Sequence, residues 1–283
     1  MMFIKHPYPC SVIPLICIDV DGTLVSASGV VTDAVWAAVD RALERGQHLA
    51  LSTARGAFAA SWEMAQRLDP NGWHVFHAGG ATVHTGTGSV RGHSLDSDQL
   101  ATALDVASNN GWTLELYSAS DYAVDSDGPL AVDHARLIGV AFEQRSLHDF
   151  IAANEVIVRA QFVVPESDIG AVTSAMGPSG LSVTSATSPI MPGAAFVSAT
   201  QERITKATGI AQICDDLGIS IRHVMMIGDG LNDLAAIEAV GHPVAMGNAA
   251  PEVHRLARYA VADVDHDGVA EALDLSATLD PDS

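Results

Sequence analysis

The sequence predicts an α/β fold in which a parallel-sheet core is interrupted by an inserted α+β domain, and three observations carry that expectation. Short apolar runs without polar alternation recur at Leu15–Ile18, 49–51, 224–227, 244–246 and 259–262, the pattern of strands buried on both faces of a parallel sheet. Stretches of helical spacing separate these runs at both ends of the chain, as in βαβ units. Between residues 82 and 191 the pattern changes to mixed alternation, with Gly-containing turns at 85–88 and a Pro/Ser/Gly-rich patch at 177–193, which marks a differently built insertion.

The first run, Leu15–Ile18, is followed at once by two acids and a glycine. The next element is a helix: Val35, Ala38, Val39, Ala42 and Leu43 share one face, Thr32 is placed as an N-cap and Gly46 as a terminator. The run 49–51 ends in Ser52-Thr53-Ala54-Arg55, with a further helix expected from about Ala57. Beyond the insertion, a helix from Thr205 to Leu217 stops at Gly218, the run 224–227 follows, and a helix from Asn232 to Val240 stops at Gly241. These readings assign 1–81 and 192–283 to the core and 82–191 to the insertion.

Composition narrows the function. With 48% hydrophobic and 17% charged residues over 283 positions the chain is globular. Fourteen Lys plus Arg against 34 Asp plus Glu give a net charge of −20, which repels nucleic acid and anionic membrane surfaces. A small anion would need a local device, such as a metal ion or converging N–H groups. Cys10, Cys17 and Cys214 form neither a disulfide framework nor a thiolate zinc site, which fits a reducing cytoplasm. Residues 1–14 contain Lys5 and three prolines, and read as neither leader nor membrane span.

Chemistry concentrates where the apolar runs end. Asp19-Val20-Asp21-Gly22-Thr23-Leu24 follows the first run, so both acids stand at the carboxyl end of a buried strand, where α/β sheets bind ligands. Residues two apart on an extended segment face one side, so both carboxylates can address one group. Asp125-Ser126-Asp127-Gly128 and Asp265-His266-Asp267-Gly268 share the spacing without the preceding apolar run, and read as Asp-rich turns. Thr53 offers a hydroxyl for phosphate, or an ordinary cap. Lys206, a cation near a helix start, opposes the helix dipole and could face developing negative charge. Gly228-Asp229-Gly230-Leu231-Asn232-Asp233 follows another buried run and supplies oxygen ligands of the kind Mg²⁺ prefers, although Asp233 alone reads equally as an N-cap. Arg159, in the apolar stretch 155–164, reads as a snorkelling surface arginine.

Taken together, these motifs resemble the haloacid dehalogenase superfamily, in the Cof-like branch whose Rossmann-like core carries a large α/β cap. The family pattern D-x-D-G-T matches Asp19–Thr23, T-G-R matches Thr53-Ala54-Arg55 with Ala for Gly, and G-D-G-x-N-D matches 228–233. Residues 244–249, 267–270 and Thr205-Lys206 add to the likeness. Gly79-Gly80-Ala81 departs from the usual Asn-Gly-Ala, and Gln201, Arg203 and Ile204 depart from Pro-x-Gly-Val.

The resemblance implies a Mg²⁺-dependent phosphatase. Asp19 would be the nucleophile that forms an aspartyl-phosphate, and Asp21 the general acid and then base. The metal would be held by Asp19, the backbone carbonyl of Asp21 and Asp229, with Asp233 in support. Thr53, Ala54, Lys206 and Asn232 would bind phosphate, Asn248 being a weaker candidate. The implied substrate is a small phosphorylated metabolite, foremost a sugar phosphate. A sugar phosphomutase of the same superfamily and a non-catalytic phosphate-binding relative are the alternatives. A dehalogenase would need neither Asp21 nor the metal.

Overall fold

The computed structural model of the chain describes residues 12–26, 29–154 and 156–282, so Lys5, Pro7, Pro9, Cys10 and Glu155 of the sequence reading lie outside the described residues. In chain order the first part supplies β1 (Leu15–Ile18), α1 (Asp33–Glu44), β2 (His48–Leu51), α2 (Ala59–Leu68), β3 (Trp73–Phe76) and β4 (Ala81–His84). The middle supplies β5 (Val90–Gly92), α3 (Ser97–Asn110), β6 (Thr113–Tyr117), β7 (Tyr122–Val124), α4 (Pro129–Leu137), α5 (Leu147–Ala153), β8 (Arg159–Pro165), α6 (Ile169–Met176), β9 (Leu181–Thr187) and β10 (Ala194–Gln201). The last part supplies α7 (Lys206–Leu217), β11 (Val224–Gly228), α8 (Leu234–Ala239), β12 (His242–Ala245), α9 (Pro251–Leu256), β13 (Tyr259–Ala260) and α10 (Gly268–Ser276).

The chain divides into two compact units. The first comprises 1–54, 64–89 and 205–283, the second 55–63 and 90–204. In the first, a parallel sheet runs in the order β13-β12-β11-β1-β2, so the expected α/β core is present. Every residue of β1 is buried, because strand neighbours flank it and helices cover both faces. On one face Leu15, Cys17, Val224 and Met226 pack against Ile210 and Ile213 of α7 and Ala236 and Ile237 of α8. On the other, α1 and α10 pack together and against β2 and β11. Each fully buried Leu or Ile contributes about 1.5–3 kcal/mol to that core. The cap at Thr32 forms as expected, its Oγ1 accepting from Val35 N at 3.2 Å, and Gly218 closes α7 with φ 64°.

In the second unit the sheet is antiparallel throughout, in the order β7-β6-β8-β10-β9. Its strands alternate. Leu114, Leu116, Ala160, Phe162, Val164, Val197 and Ala199 form one face with α3 and α6, while Glu115, Tyr117, Arg159, Gln161, Val163, Phe196 and Ser198 belong to the other by their alternation.

Both expected boundaries move, from 82 and 191 to 90 and 204, and residues 55–63 join the second unit unannounced. The patch 177–193 lies inside the second unit: it contains β9 and the turn into β10, and β10 pairs antiparallel with β8 and β9 on its two sides. Its nearly unbroken apolar run, Ala194 to Val197, imitates a core strand in sequence. Conversely β4 pairs with β3 in the first unit. No helix among the described residues is long and apolar enough to cross a membrane.

Candidate active site

Strand register levels the carboxyl ends of the central strands: Ile18 stands opposite both Leu51 and Ile227. The chain leaves β1 to pair β2 on one side and returns to place β11 on the other, so the strand order reverses at β1, the position where such sheets bind ligands. Asp19 follows β1, Thr53 follows β2 by two residues, and Asp229 follows β11. Sequence thus delivers these three to one edge of the first unit.

Residues after Asp19 fold into a tight turn through backbone bonds: Gly22 N to Val25 O at 2.9 Å, Leu24 N to Asp19 O at 3.2 Å and Val25 N to Val20 O at 2.9 Å. Gly22 takes φ +85°, and a Cβ there would lie 2.4 Å from Asp229 Oδ2, so only glycine allows the loop to approach that carboxylate. Thr23 Oγ1 donates to Asp229 Oδ1 at 2.9 Å. Asn248 Nδ2 donates to Gly22 O at 2.8 Å, and its Oδ1 accepts from Val264 N at 3.0 Å.

Lys206 is the first residue of α7 and is fully buried. Its Nζ donates to Asp19 Oδ1 and, at 2.5 Å, to Asp233 Oδ1. The other oxygen of Asp233 accepts from the N–H groups of Asp229 and Gly230 at 3.1 and 3.0 Å. Both Asp233 oxygens are therefore engaged: it holds the lysine and shapes the Asp229 loop together.

Carboxylate oxygens of Asp19, Asp229 and Asp233 lie within 4.8 Å of one another. Three acids thus face one ammonium. Burial pushes the Asp19 carboxyl up, the ammonium of Lys206 opposing it. Burial likewise raises Asp229, against the Thr23 hydrogen bond. Although burial alone would lower Lys206, the two carboxylates hold it above the ordinary lysine value and keep it charged. A hard divalent cation fits this set: its donors are oxygens, their charge exceeds that of the lysine, and the space a Cβ at Gly22 would fill is kept clear beside Asp229.

Asp21 stays exposed on the turn, outside the carboxylate cluster. Thr53 is buried, its N–H given to Val75 O at 2.9 Å and its carbonyl accepting from Ala78 N at 2.8 Å. The expected helix near Ala57 starts instead at Ala59, so Thr53 and exposed Ala54 sit at a strand end rather than at a helix N-terminus. Asn232 is exposed in the 3₁₀ turn Leu231–Asp233. The two other Asp-x-Asp-Gly runs are turns, as expected. Gly128 caps α4, and Asp267 takes φ 57° before α10 and accepts from Thr32 Oγ1 at 2.5 Å. Sequence reasoning missed Thr23, although it lies inside the first motif, and undervalued Asn248; both act by orienting Asp229 or its loop.

A parallel sheet whose reversal point carries acids around a lysine defines the class: the model of the haloacid dehalogenase-like hydrolases matches residues 16–273, and the chain belongs to that family. A protein of Streptococcus pyogenes serotype M6 that bears the name of a phosphatase is 25% identical over 271 residues, covering 92% of this chain and 97% of its own. The 5-amino-6-(5-phospho-D-ribitylamino)uracil phosphatase of Bacillus subtilis is 25% identical over 262 residues, with coverage of 92% and 94%. In fold, a haloacid dehalogenase subclass IIB sugar phosphatase superposes with a TM-score of 0.73 at 21% identity, over 94% of this chain and 99% of the other.

Proposed function

We propose that this phosphatase is a Mg²⁺-dependent phosphomonoester hydrolase that works through an aspartyl-phosphate on Asp19, with a sugar phosphate or a similar small phosphorylated metabolite as substrate. The observation that carries the reading is Asp19 itself, buried at the end of the central strand and pinned by Lys206 beside Asp229 and Asp233. A fixed carboxylate at a reversal point is a nucleophile in a prepared position. The named substrates of the relatives, a ribityl phosphate and a sugar phosphate, support the substrate class.

An Asp19 oxygen attacks phosphorus, the bond from phosphorus to the ester oxygen breaks, and Asp21 gives its proton to the departing alkoxide. Asp21 then takes a proton from water, whose oxygen attacks the same phosphorus; the bond to Asp19 breaks and free phosphate leaves. Lys206 and Thr53 hold phosphoryl oxygens where negative charge grows, with Ala54 N–H and Asn232 assisting. Asp19, Asp229 and the carbonyl of Asp21 would hold Mg²⁺, which supplies positive charge between the nucleophile and the phosphoryl group.

The test is turnover of 4-nitrophenyl phosphate and of a sugar phosphate after chelation and after Mg²⁺ is restored. Activity falls to background and returns, with free phosphate as product; full turnover in excess chelator refutes the metal, and an isomerised sugar phosphate without phosphate release would make the chain a mutase. For Asp21→Asn, the first step slows far more with alkyl than with aryl esters, because a phenolate leaves without a proton. The aryl ester then gives a burst of phenolate and a phosphorylated Asp19 visible by intact mass. Equal first-step losses for both esters, with no trapped phospho-enzyme, remove Asp21 from the acid-base role.

A further inference from the structure

Among the described residues, one sheet edge stands open over its whole length. β9 ends the sheet of the second unit: it pairs with β10 on one side, from Leu181 opposite Gln201 to Thr187 opposite Ala195, and with no strand on the other. Its outer N–H and C=O groups find no backbone partner there among the described residues. The remaining edges are short or covered. β13 has two residues and β5 three. On β2, Leu51 N donates to His74 Nδ1 at 3.0 Å and Ser52 bridges Val75. β7, the opposite edge of the same sheet, bridges Gln144 through Val124, whose carbonyl accepts from Arg145 N at 2.8 Å.

An open edge is a template for another strand, and folded chains blunt it with charge, proline, a bulge or shortness. β9 has none of these. It is seven residues long, reads Leu-Ser-Val-Thr-Ser-Ala-Thr, and keeps an unbroken register with β10. Residues 184–187 are exposed, and Ile190, in the turn that follows, is 76% exposed, more than any other large apolar side chain among the described residues. Charge gives the sharper contrast. In a chain of net charge −20, no Asp, Glu, Lys, Arg or His falls between Asp168 and Glu202.

We infer that β9 is the docking edge for a second copy of this chain, the two β9 strands pairing antiparallel about a two-fold axis. The charge pattern selects that occupant. Two copies that each carry −20 repel one another, so they approach best where neither strand brings charge, and β9 meets its own uncharged copy there. A cationic partner would be drawn to acidic surface instead. Small Ser, Thr, Val and Ala side chains let the two backbones reach the ladder spacing of about 4.8 Å. A two-fold axis at the middle of β9 sets Thr184 opposite the partner's Thr184 and keeps each row of side chains on one face of the joined sheet. The pairing also closes, because the far edge at β7 is already covered. A ladder of about 24 Å makes a small interface, so the dimer dissociates in the micromolar range. None of this depends on the phosphatase reading.

The test is sedimentation velocity of the full chain from low micromolar to submillimolar concentration. The wild-type chain passes from the 29.5 kDa monomer to twice that mass. Thr184→Glu and Thr184→Lys each set like charges against one another and weaken association by about a hundredfold. An equimolar mixture of these two variants restores it, since opposite charges then meet. Ala101→Glu, which adds a charge at an exposed position of α3, leaves association within twofold of wild type. Hydrogen exchange on the wild-type chain reads the same edge without mutation: outward amides of 182–187 are protected at high concentration and exchange on dilution. It decides the matter if a Thr184 variant fails to fold. A chain that stays monomeric at submillimolar concentration overturns the proposal, as does a dimer that forms equally well in both Thr184 variants, or a mixture of the two that does not associate. Oligomers that grow without limit would overturn the closed two-fold pairing.

Discussion

Each of the two units buries negative charge in a polar cluster, three carboxylates in the first and one in the second, and the two clusters are balanced differently. In the first, Asp19, Asp229 and Asp233 gather around one ammonium, Lys206. In the second, the single carboxylate of Glu115 receives hydrogen bonds from Tyr117, Gln161 and His134. Burying a carboxylate is costly unless its charge and lone pairs are answered. Glu115 is answered fully by its neighbours, which is the condition of a network that rigidifies a core. The first cluster carries more negative charge than the lysine offsets. Closure marks a structural network; imbalance marks a place that receives something.

The sharpest way to break this comparison is to neutralise one acid in each cluster. Asp19→Asn removes the proposed nucleophile, and kcat/KM for an aryl phosphate falls by about 10⁴-fold or more. The fold survives, because Lys206 keeps Asp233. Asp125→Asn and Asp267→Asn, in the look-alike runs, retain turnover within a few-fold. Steady-state kinetics on the three variants decide the matter, and loss at Asp125 or Asp267 with retention at Asp19 would overturn the choice of nucleophile.

A second test asks whether every polar group buried in the first unit is unbalanced. His74 says not. Its Nδ1 accepts from Leu51 N at 3.0 Å and its Nε2 donates to Asp69 O at 3.0 Å, a pairing that only the uncharged ring can make. Burial pushes its pKa down to about 4, against about 6.5 in an unfolded chain. Between those values the unfolded chain binds the extra proton, so stability falls as the pH drops below about 6.5, by about 3 kcal/mol at pH 4. Urea midpoints from pH 7.5 to 4.5 read this out. His74→Gln is less stable at pH 7.5 and shows a flatter fall; an unchanged slope would dissociate His74 from the acid sensitivity.

Legibility in the sequence follows the same division. Asp19 and Asp229 could be read because strand ends and glycine turns are local signals, an apolar run, then acids, then Gly22 or Gly230, and Lys206 because a cation at a helix start is out of place. The parallel sheet was legible for the same reason. What stayed hidden depended on pairing. Residues 194–201 fall on the core side of the expected boundary until the pairing of β10 with β8 and β9 is known, and Arg159 reads as a surface residue until Tyr117 appears beside it. Thr23 was passed over, and Asn248 held only as a weaker candidate, because each acts on a residue more than a dozen positions away, across a loop that local spacing does not foretell.

The smallest expected effect concerns Glu115, and it separates a closed network from a reactive one. In Glu115→Gln the side chain keeps its shape and one carbonyl oxygen, which can still accept from Tyr117 and Gln161. The new NH₂ group then faces His134, whose imidazole can move its proton from Nδ1 to the other ring nitrogen and accept instead of donate. One hydrogen bond is reversed and the long contact of Gln161 Nε2 with His134 Nε2, 3.5 Å, is given up, so the cost is about 1 kcal/mol, seen as a melting temperature lower by a few degrees. Glu115→Leu has no such remedy. It removes the acceptor that Tyr117, Gln161 and His134 share in a buried site, and the loss is several-fold larger. Turnover per folded molecule stays within twofold of wild type for the Gln variant, since Glu115 touches no group that reacts. If Glu115→Gln instead silenced the enzyme as Asp19→Asn does while remaining folded, closure would not distinguish structural from reactive carboxylates here, and the Glu115 network would have to be counted as part of the chemistry.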